Sequence, residues 1–205
     1  MALRSVFGPS RPEIWQQIAQ DLGGNYIGEA FFGEDAVIYR HGEWQIVLDV
    51  RYQQEGGSTA SYTRLRAPFI NKDGFVFRIF RKRFLSFIGK LIGAQDVVIG
   101  DPVFDDPFII QTNSEDRIRY LLEDEALKQL IQQQPDVWFE VRGDDGLFGV
   151  DFPDGVDQLY FESAGVIKDT PLLKGLFELF SLTLMRLVEM DSAYDSDPNV
   201  RLREA

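Results

Sequence analysis

Apolar residues change their spacing several times along this chain, and each change marks an element. Ile14, Trp15, Ile18 and Leu22 recur at helical intervals. Ser10 and Glu13 frame their start as a capping box and Gly23-Gly24 follows, so a helix is expected from Ser10 to Leu22. The period then shortens to two. Trp44, Ile46, Leu48 and Val50 alternate with Gln45, Asp49 and Arg51, the mark of a half-buried strand, with Val47 the exception. Further strand-like runs at 26–32, 36–40, 59–70 and 75–80 are separated by turns at Gly33-Glu34-Asp35, His41-Gly42, Gln53 to Ser58 and Asn71 to Gly74. Short polar connections of this kind predict an antiparallel meander of about five strands.

After Phe80 the helical period returns. Phe84, Leu85, Phe87, Ile88, Leu91 and Ile92 fit a short amphipathic helix within 81–93. Residues 97–99 and 108–111 read as short strands around a loop from Asp101 to Pro107. Helices follow from Asn113 or Ser114 to Leu122 and from Glu123 to Gln133, where Pro135 prevents continuation. Residues 136–142 and 147–152 predict a hairpin across Gly143-Asp144-Asp145-Gly146. Residues 156–163 fit a strand or a loop. Thr170 as cap and Pro171 as first helical residue open a last helix to about Met190. It is apolar around most of its circumference, which predicts burial on most sides.

These elements predict an α+β fold: an antiparallel meander of about five strands with flanking helices, a second small strand–helix–hairpin unit, and a long buried C-terminal helix. No Pro/Ser/Gly linker divides the middle. Residues 10–191 are therefore expected as a single domain, with 10–93 and 94–191 as the alternative subdivision. Residues 1–9 and 192–205 read as flexible termini.

Composition narrows the chemistry. The 205 residues include no Cys, which excludes disulfides, thiolate metal sites and Cys nucleophiles. The start of the chain has no apolar signal run, and the most apolar stretch, 172–188, carries Lys174, Glu178 and Arg186. Neither secretion nor a membrane span is expected, and the expected location is cytoplasmic. The net charge is −12, yet the span from Arg40 to Lys90 has ten basic residues against four acidic ones. That segment carries +6 and the rest of the chain −18. Such a layout fits either pairing within the fold or a positive face that attracts an anionic partner.

No nucleophile elbow, Walker loop or dinucleotide fingerprint is present. The one histidine, His41, sits beside Gly42 in a tight turn and needs no chemistry there. Asp101, Asp105 and Asp106 share a loop stiffened by Pro102 and Pro107 and are the candidate metal ligands. Hard cations need several converging oxygens, and no EF-hand spacing occurs here. The preferred reading is that Asp101 and Asp105 accept from turn amides, and no metal or other cofactor is expected. The run Arg78-Ile79-Phe80-Arg81-Lys82-Arg83-Phe84 interleaves basic and aromatic residues, as nucleic-acid or membrane-surface binders do. Strong overall acidity opposes both, and Phe84, Phe87 and Ile88 read as cover for the meander.

The stretch from Phe77 through Leu91, followed by Phe104, Asp105, Phe108 and Ile109 and then Asn113, Leu121 and Leu122, resembles a bacterial domain family of unknown function. The likeness is strongest over 75–135, where a Phe-Asp-x-x-Phe-x-(Val/Ile) pattern precedes a polar turn and a Leu-Leu helix. Gly165 to Asp169 and Ser192-Ala193-Tyr194 resemble it as well. Some relatives carry membrane helices ahead of this domain. The resemblance implies kinship of fold, and it transfers no catalytic residue.

A non-enzymatic protein-interaction module is the function this pattern favours. A chaperone-like homodimer and a carboxylate-dependent hydrolase or metal enzyme centred on Asp101, Asp105 and Asp106 are the alternatives. Tyr62, Arg64, Arg66 and Pro68 share one face of their strand, and Val76, Arg78 and Phe80 share one face of the next. If those strands pair, Arg64, Arg66 and Arg78 lie together on the outer face. With Arg81 they are the candidate partner-binding residues, for an anionic protein and not for nucleic acid.

Overall fold

The structure, a computed structural model, describes residues 8–28, 35–83, 95–143 and 151–203. The amphipathic stretch from Phe84, the turn residues Gly33 and Glu34, Glu29 to Phe32 of the first expected strand, and Asp144 to Val150 of the expected hairpin lie outside them.

Helix α1 spans Arg11–Leu22. The Ser10 amide donates to the Glu13 carboxylate at 2.9 Å, satisfying one donor at the helix start. Gly23 ends the helix in the left-handed region, with φ 70°. At Gly24 a Cβ would lie 2.5 Å from the Ile38 carbonyl oxygen, so only glycine lets the chain pass that close.

The described residues form one antiparallel sheet: β1 (Asn25–Ile27), β2 (Ala36–His41), β3 (Trp44–Glu55), β4 (Ser58–Ile70), β5 (Phe77–Arg81), β6 (Gln95–Val97), β7 (Phe108–Thr112), β8 (Trp138–Arg142) and β9 (Val156–Ala164). The spatial order is β1-β2-β3-β4-β9-β8-β5-β7-β6. The α+β class is as expected, with nine strands in the sheet rather than about five.

The meander continues only through β4. The expected β4–β5 pairing is replaced by β4–β9, with eight residue pairs from Thr63↔Ser163 to Ile70↔Val156. Local chemistry at Asn71 redirects the chain. Its Oδ1 accepts from the Gly74 amide at 3.0 Å and its Nδ2 donates to the Phe75 carbonyl at 3.0 Å. The 71–76 connection is thereby held as a loop and not as a tight hairpin, and β5 is delivered beyond β9 and β8. The segment 156–163, which fits strand or loop by sequence, is a strand because β4 and β8 offer it a ladder on each side. The loop from Asp101 to Pro107 holds a short helix, α2 (Pro102–Asp105).

One face of the sheet is the core. Leu48, Val50, Leu65, Ala67, Phe77, Ile79, Phe139, Val141, Leu159 and Phe161 are fully buried. Helices α3 (Glu115–Leu121), α4 (Glu125–Gln133) and α5 (Thr170–Glu189) lie on the helical side, and α5 packs on α1, α3, α4 and β4. The Phe180 ring sits 5.8 Å from Phe139, and Phe177 meets Tyr39 edge-on at 5.8 Å. The cap of α5 is Asp169 rather than Thr170, its carboxylate accepting from the Leu172 amide at 2.9 Å.

The segment expected as a frayed tail packs onto the sheet from Ser192 to Arg203. Asn71 and Ala193 form an antiparallel bridge. Ser192, Ala193, Val200 and Leu202 are buried, and Leu202 joins a small apolar cluster with Ala36, Ile38 and Val47. Gln45 fixes that end through its amide, which donates to the Arg203 carbonyl and accepts from the Leu202 amide.

Candidate functional site

Period two assigns alternate residues to opposite faces of a strand, and the register then decides which of them meet. On the face away from the helices, Asp49, Arg64, Glu162, Trp138 and Phe80 fall in one row across β3, β4, β9, β8 and β5. Arg66, Tyr160, Glu140, Arg78 and Gln111 fall in the next row, across β4, β9, β8, β5 and β7. Arg51 of β3 and Arg142 of β8 flank these rows. Together Arg51, Arg64, Arg78, Trp138, Glu140, Arg142, Tyr160 and Glu162 line a cavity of about 480 Å³.

Acidic residues of the same sheet meet these arginines. Asp49 accepts from Arg64 at 2.7 and 2.9 Å and from Arg66 at 2.8 Å. Glu162 accepts two hydrogen bonds from Arg51, both 2.7 Å, and one from the Tyr160 hydroxyl at 2.6 Å. Glu140 accepts from Arg78 Nε at 2.6 Å. The guanidinium groups also lie on rings: Arg78 is 4.8 Å from the centre of Trp138, Arg51 4.7 Å from Tyr62 and Arg142 3.4 Å from Tyr160. Phe80 stacks on Trp138 at 5.7 Å and closes the β5 side of that row.

Burial and charge act in opposite directions here. Burial raises the Asp49 pKa, but hydrogen bonding and attraction from Arg64 and Arg66 outweigh it and leave the carboxyl below its usual range. Burial, followed by the Glu162 charge, raises the Tyr160 phenol, so its hydroxyl stays a donor. Among the described residues, five guanidinium groups (Arg51, Arg64, Arg66, Arg78 and Arg142) meet three carboxylates (Asp49, Glu140 and Glu162). Arg203 adds a sixth from the C-terminal segment, 3.9 Å from Asp49. Among the described residues that line the cavity, four are arginines and two are glutamates, in a chain of net charge −12.

The structure brings Arg64, Arg66 and Arg78 onto one face, although β9 and β8 separate their strands. Arg81 is elsewhere. Its Nη2 donates to the carbonyls of Gln132 and Gln134 at 3.0 and 2.6 Å, which satisfies acceptors at the end of α4. Asp101, Asp105 and Asp106 do not converge on a centre. Asp105 accepts from the amides of Ile99 and Gly100 at 3.0 and 2.9 Å. Asp101 accepts from the Val103 amide at 3.1 Å and from Lys128 Nζ at 2.7 Å. Asp106 caps the C-terminal end of α2. Among the described residues, no group of three His, Asp or Glu side chains is placed to hold a metal ion.

Sequence reasoning missed Arg51, Arg142, Trp138, Tyr160 and the three acidic partners. Their signal was present as polar and aromatic residues at alternate positions, in Trp138-x-Glu140-x-Arg142 and Tyr160-x-Glu162. The register that joins them across five strands carries no local mark.

No protein-family model and no curated protein matches the chain. Among solved structures it is similar to the crystal structure of the mycobacterial trehalose monomycolate transport factor A, with a TM-score of 0.48 and 10% identity, over 91% of this chain and 96% of that chain. No helix of the described residues is long and apolar enough to cross a membrane.

Proposed function

We propose that the protein is a non-enzymatic interaction module whose contact face is the arginine-lined groove, and that the groove receives an acidic segment of a protein partner. The observation behind this reading is the clustering of Arg51, Arg64, Arg78 and Arg142 with Trp138 and Tyr160 in one groove of an acidic chain. Arg and aromatic residues are the side chains that dominate binding energy at protein interfaces. Clustered guanidinium groups offer an anionic segment paired donors at this face, while the net charge of −12 keeps acidic surfaces away from the rest of the chain.

The test is a titration of a labelled Glu-rich peptide, read by fluorescence anisotropy at several salt concentrations. Binding should weaken as salt rises. Arg142→Gln should reduce affinity about tenfold, the equivalent of one charge-assisted contact. Arg81→Gln, which lies outside the groove, should bind as the native protein does. Equal loss in both variants, or binding indifferent to salt, would refute the assignment of the face.

A further inference from the structure

On the sheet face that carries the groove, part of β2 and β3 is covered by the chain itself. Val200 and Leu202, two positions apart, are buried, and Arg201 between them turns outward to Asp197 at 2.8 Å. Leu202 fills a socket formed by Ala36, Ile38 and Val47. The buried Gln45 side chain directs both of its polar atoms at the segment's backbone: Oε1 accepts from the Leu202 amide at 3.2 Å, and Nε2 donates to the Arg203 carbonyl at 3.1 Å. The Arg203 guanidinium stands 3.9 Å from Asp49. Gln45, Val47 and Asp49 alternate along β3, so one face of that strand presents a main-chain clamp, an apolar socket and a carboxylate in turn. Sites that read an extended peptide are built in this way, with main-chain hydrogen bonds for affinity and side-chain pockets for specificity.

The covering segment is held lightly. Tyr194 donates to the Ile70 carbonyl at 3.1 Å, but beyond it, among the described residues, no backbone–backbone hydrogen bond joins 195–203 to the sheet. A segment tied by so few contacts opens locally at far less cost than global unfolding. Opening uncovers Ile38 and Val47 and removes these two partners from the Gln45 amide, which favours renewed occupation of the site.

We propose that this slot is a second docking site, for an extended segment of another protein with apolar residues at alternate positions followed by arginine or lysine, and that Val200 to Arg203 occupies it in cis until such a segment displaces it. The basic residue follows from Asp49, and a chain of net charge −12 draws a basic segment to its surface. Arg51 stands two positions beyond Asp49 on the same face of β3, so the slot adjoins the groove and a partner seated in one borders the other. The slot does not depend on what the groove takes, so the two readings fail separately.

The probe is a labelled peptide with the sequence of residues 196–203, titrated by fluorescence anisotropy into the full chain. Tethering gives the segment in cis an effective concentration in about the millimolar range, so the native chain should bind the probe weakly. Leu202→Asp should free the slot and tighten binding by about tenfold or more. Adding Val47→Asp should abolish that binding, and Arg142→Gln in the groove should leave it unchanged. A probe with Ser in place of its leucine should not bind, and one with Glu in place of its last arginine should bind about tenfold more weakly. Equal affinity for the native and Leu202→Asp chains would overturn occupation in cis, and no binding to a folded Leu202→Asp chain would overturn the site. Hydrogen exchange tests the native chain without a substitution: a saturating excess of unlabelled peptide should speed exchange of the Leu202 amide and leave the amides of β4 as they are. Unchanged exchange at Leu202 would overturn displacement. A native dimer that the peptide splits, read by light scattering, would make the occupant a second copy of this chain and overturn the assignment to another protein.

Discussion

Substituting Asp49 with Ala tests the charge network at its most buried point. The carboxylate is fully buried and accepts three hydrogen bonds from Arg64 and Arg66, whose side chains are 15% and 5% exposed. Its removal leaves two guanidinium groups without their central partner, one of them almost completely shielded from water. Breaking a buried pair by removing one partner in this way costs about 3–5 kcal/mol. At about 2–4 °C per kcal/mol for a chain of this length, the melting temperature should fall by roughly 6–20 °C. Urea denaturation should show the same loss as a lower midpoint at unchanged slope. Asp49→Asn keeps the shape and one acceptor, and should lose less. Replacing Asp49, Arg64 and Arg66 together by apolar residues of similar volume should restore most of the stability.

The pH dependence of the native protein has a definite sign. Asp49 is held below its ordinary value of 3.8, so its contribution is complete above the unfolded-state pKa and is lost as pH falls through the lower folded-state value. The Asp49→Ala variant should therefore have a shallower acid limb below about pH 4. A stability loss under about 1 kcal/mol at neutral pH, or an acid limb identical to that of the native protein, would refute the reasoning.

The same structure sets three further expectations. A chain ending before Thr170 should fail to fold, since it loses Leu173, Leu176, Phe177, Leu179, Phe180, Leu184 and Leu187 from the core, each contributing about 1.5–3 kcal/mol; a cooperatively melting 1–169 fragment would contradict this. Melting temperatures in EDTA and in millimolar calcium or magnesium should agree, because Asp101 and Asp105 serve amides and Lys128, while Asp105→Ala should cost about 1 kcal/mol in either medium; a divalent-dependent shift that disappears in this variant would restore the metal reading. Random DNA or RNA oligonucleotides should not be retained at about 150 mM salt, where screening limits attraction to short range and the net charge of −12 opposes a long polyanion; submicromolar, salt-sensitive binding would show otherwise.

Local signals along the chain mark the elements and say much less of their neighbours. α1, β3 and α5 follow from spacing and terminal residues, because each is defined by contacts a few positions apart. The order of strands depends on which ladder each one finds, and here β9, more than eighty residues after β4, displaces the sequence-adjacent β5. Arg64 and Arg66 were legible as outward-facing because they alternate with Leu65 and Ala67. Their partners were not, since Asp49 meets them through the β3–β4 register, and Glu140 meets Arg78 only through the placement of β8. Arg81 belonged by sequence to the basic cluster, yet one position along a strand reverses the face, and its side chain reaches α4. The packing of 192–203 was hidden because Ala193, Val200 and Leu202 are isolated apolar residues in an acidic segment, each too sparse to form a periodic pattern.

The positive field proposed for the groove can be measured directly at its wall. Of the three Trp residues, Trp15 and Trp44 are buried at 0% and 3% exposure, which leaves Trp138 as the one in reach of ions. Stern–Volmer quenching of its fluorescence by iodide and by caesium, with Trp138→Phe as the blank, compares an anion and a cation at the same indole. A chain of net charge −12 without a local positive field would favour caesium. The groove described here predicts stronger quenching by iodide, with the preference declining as inert salt is added and in Arg142→Gln. Stronger quenching by caesium at low salt would contradict it.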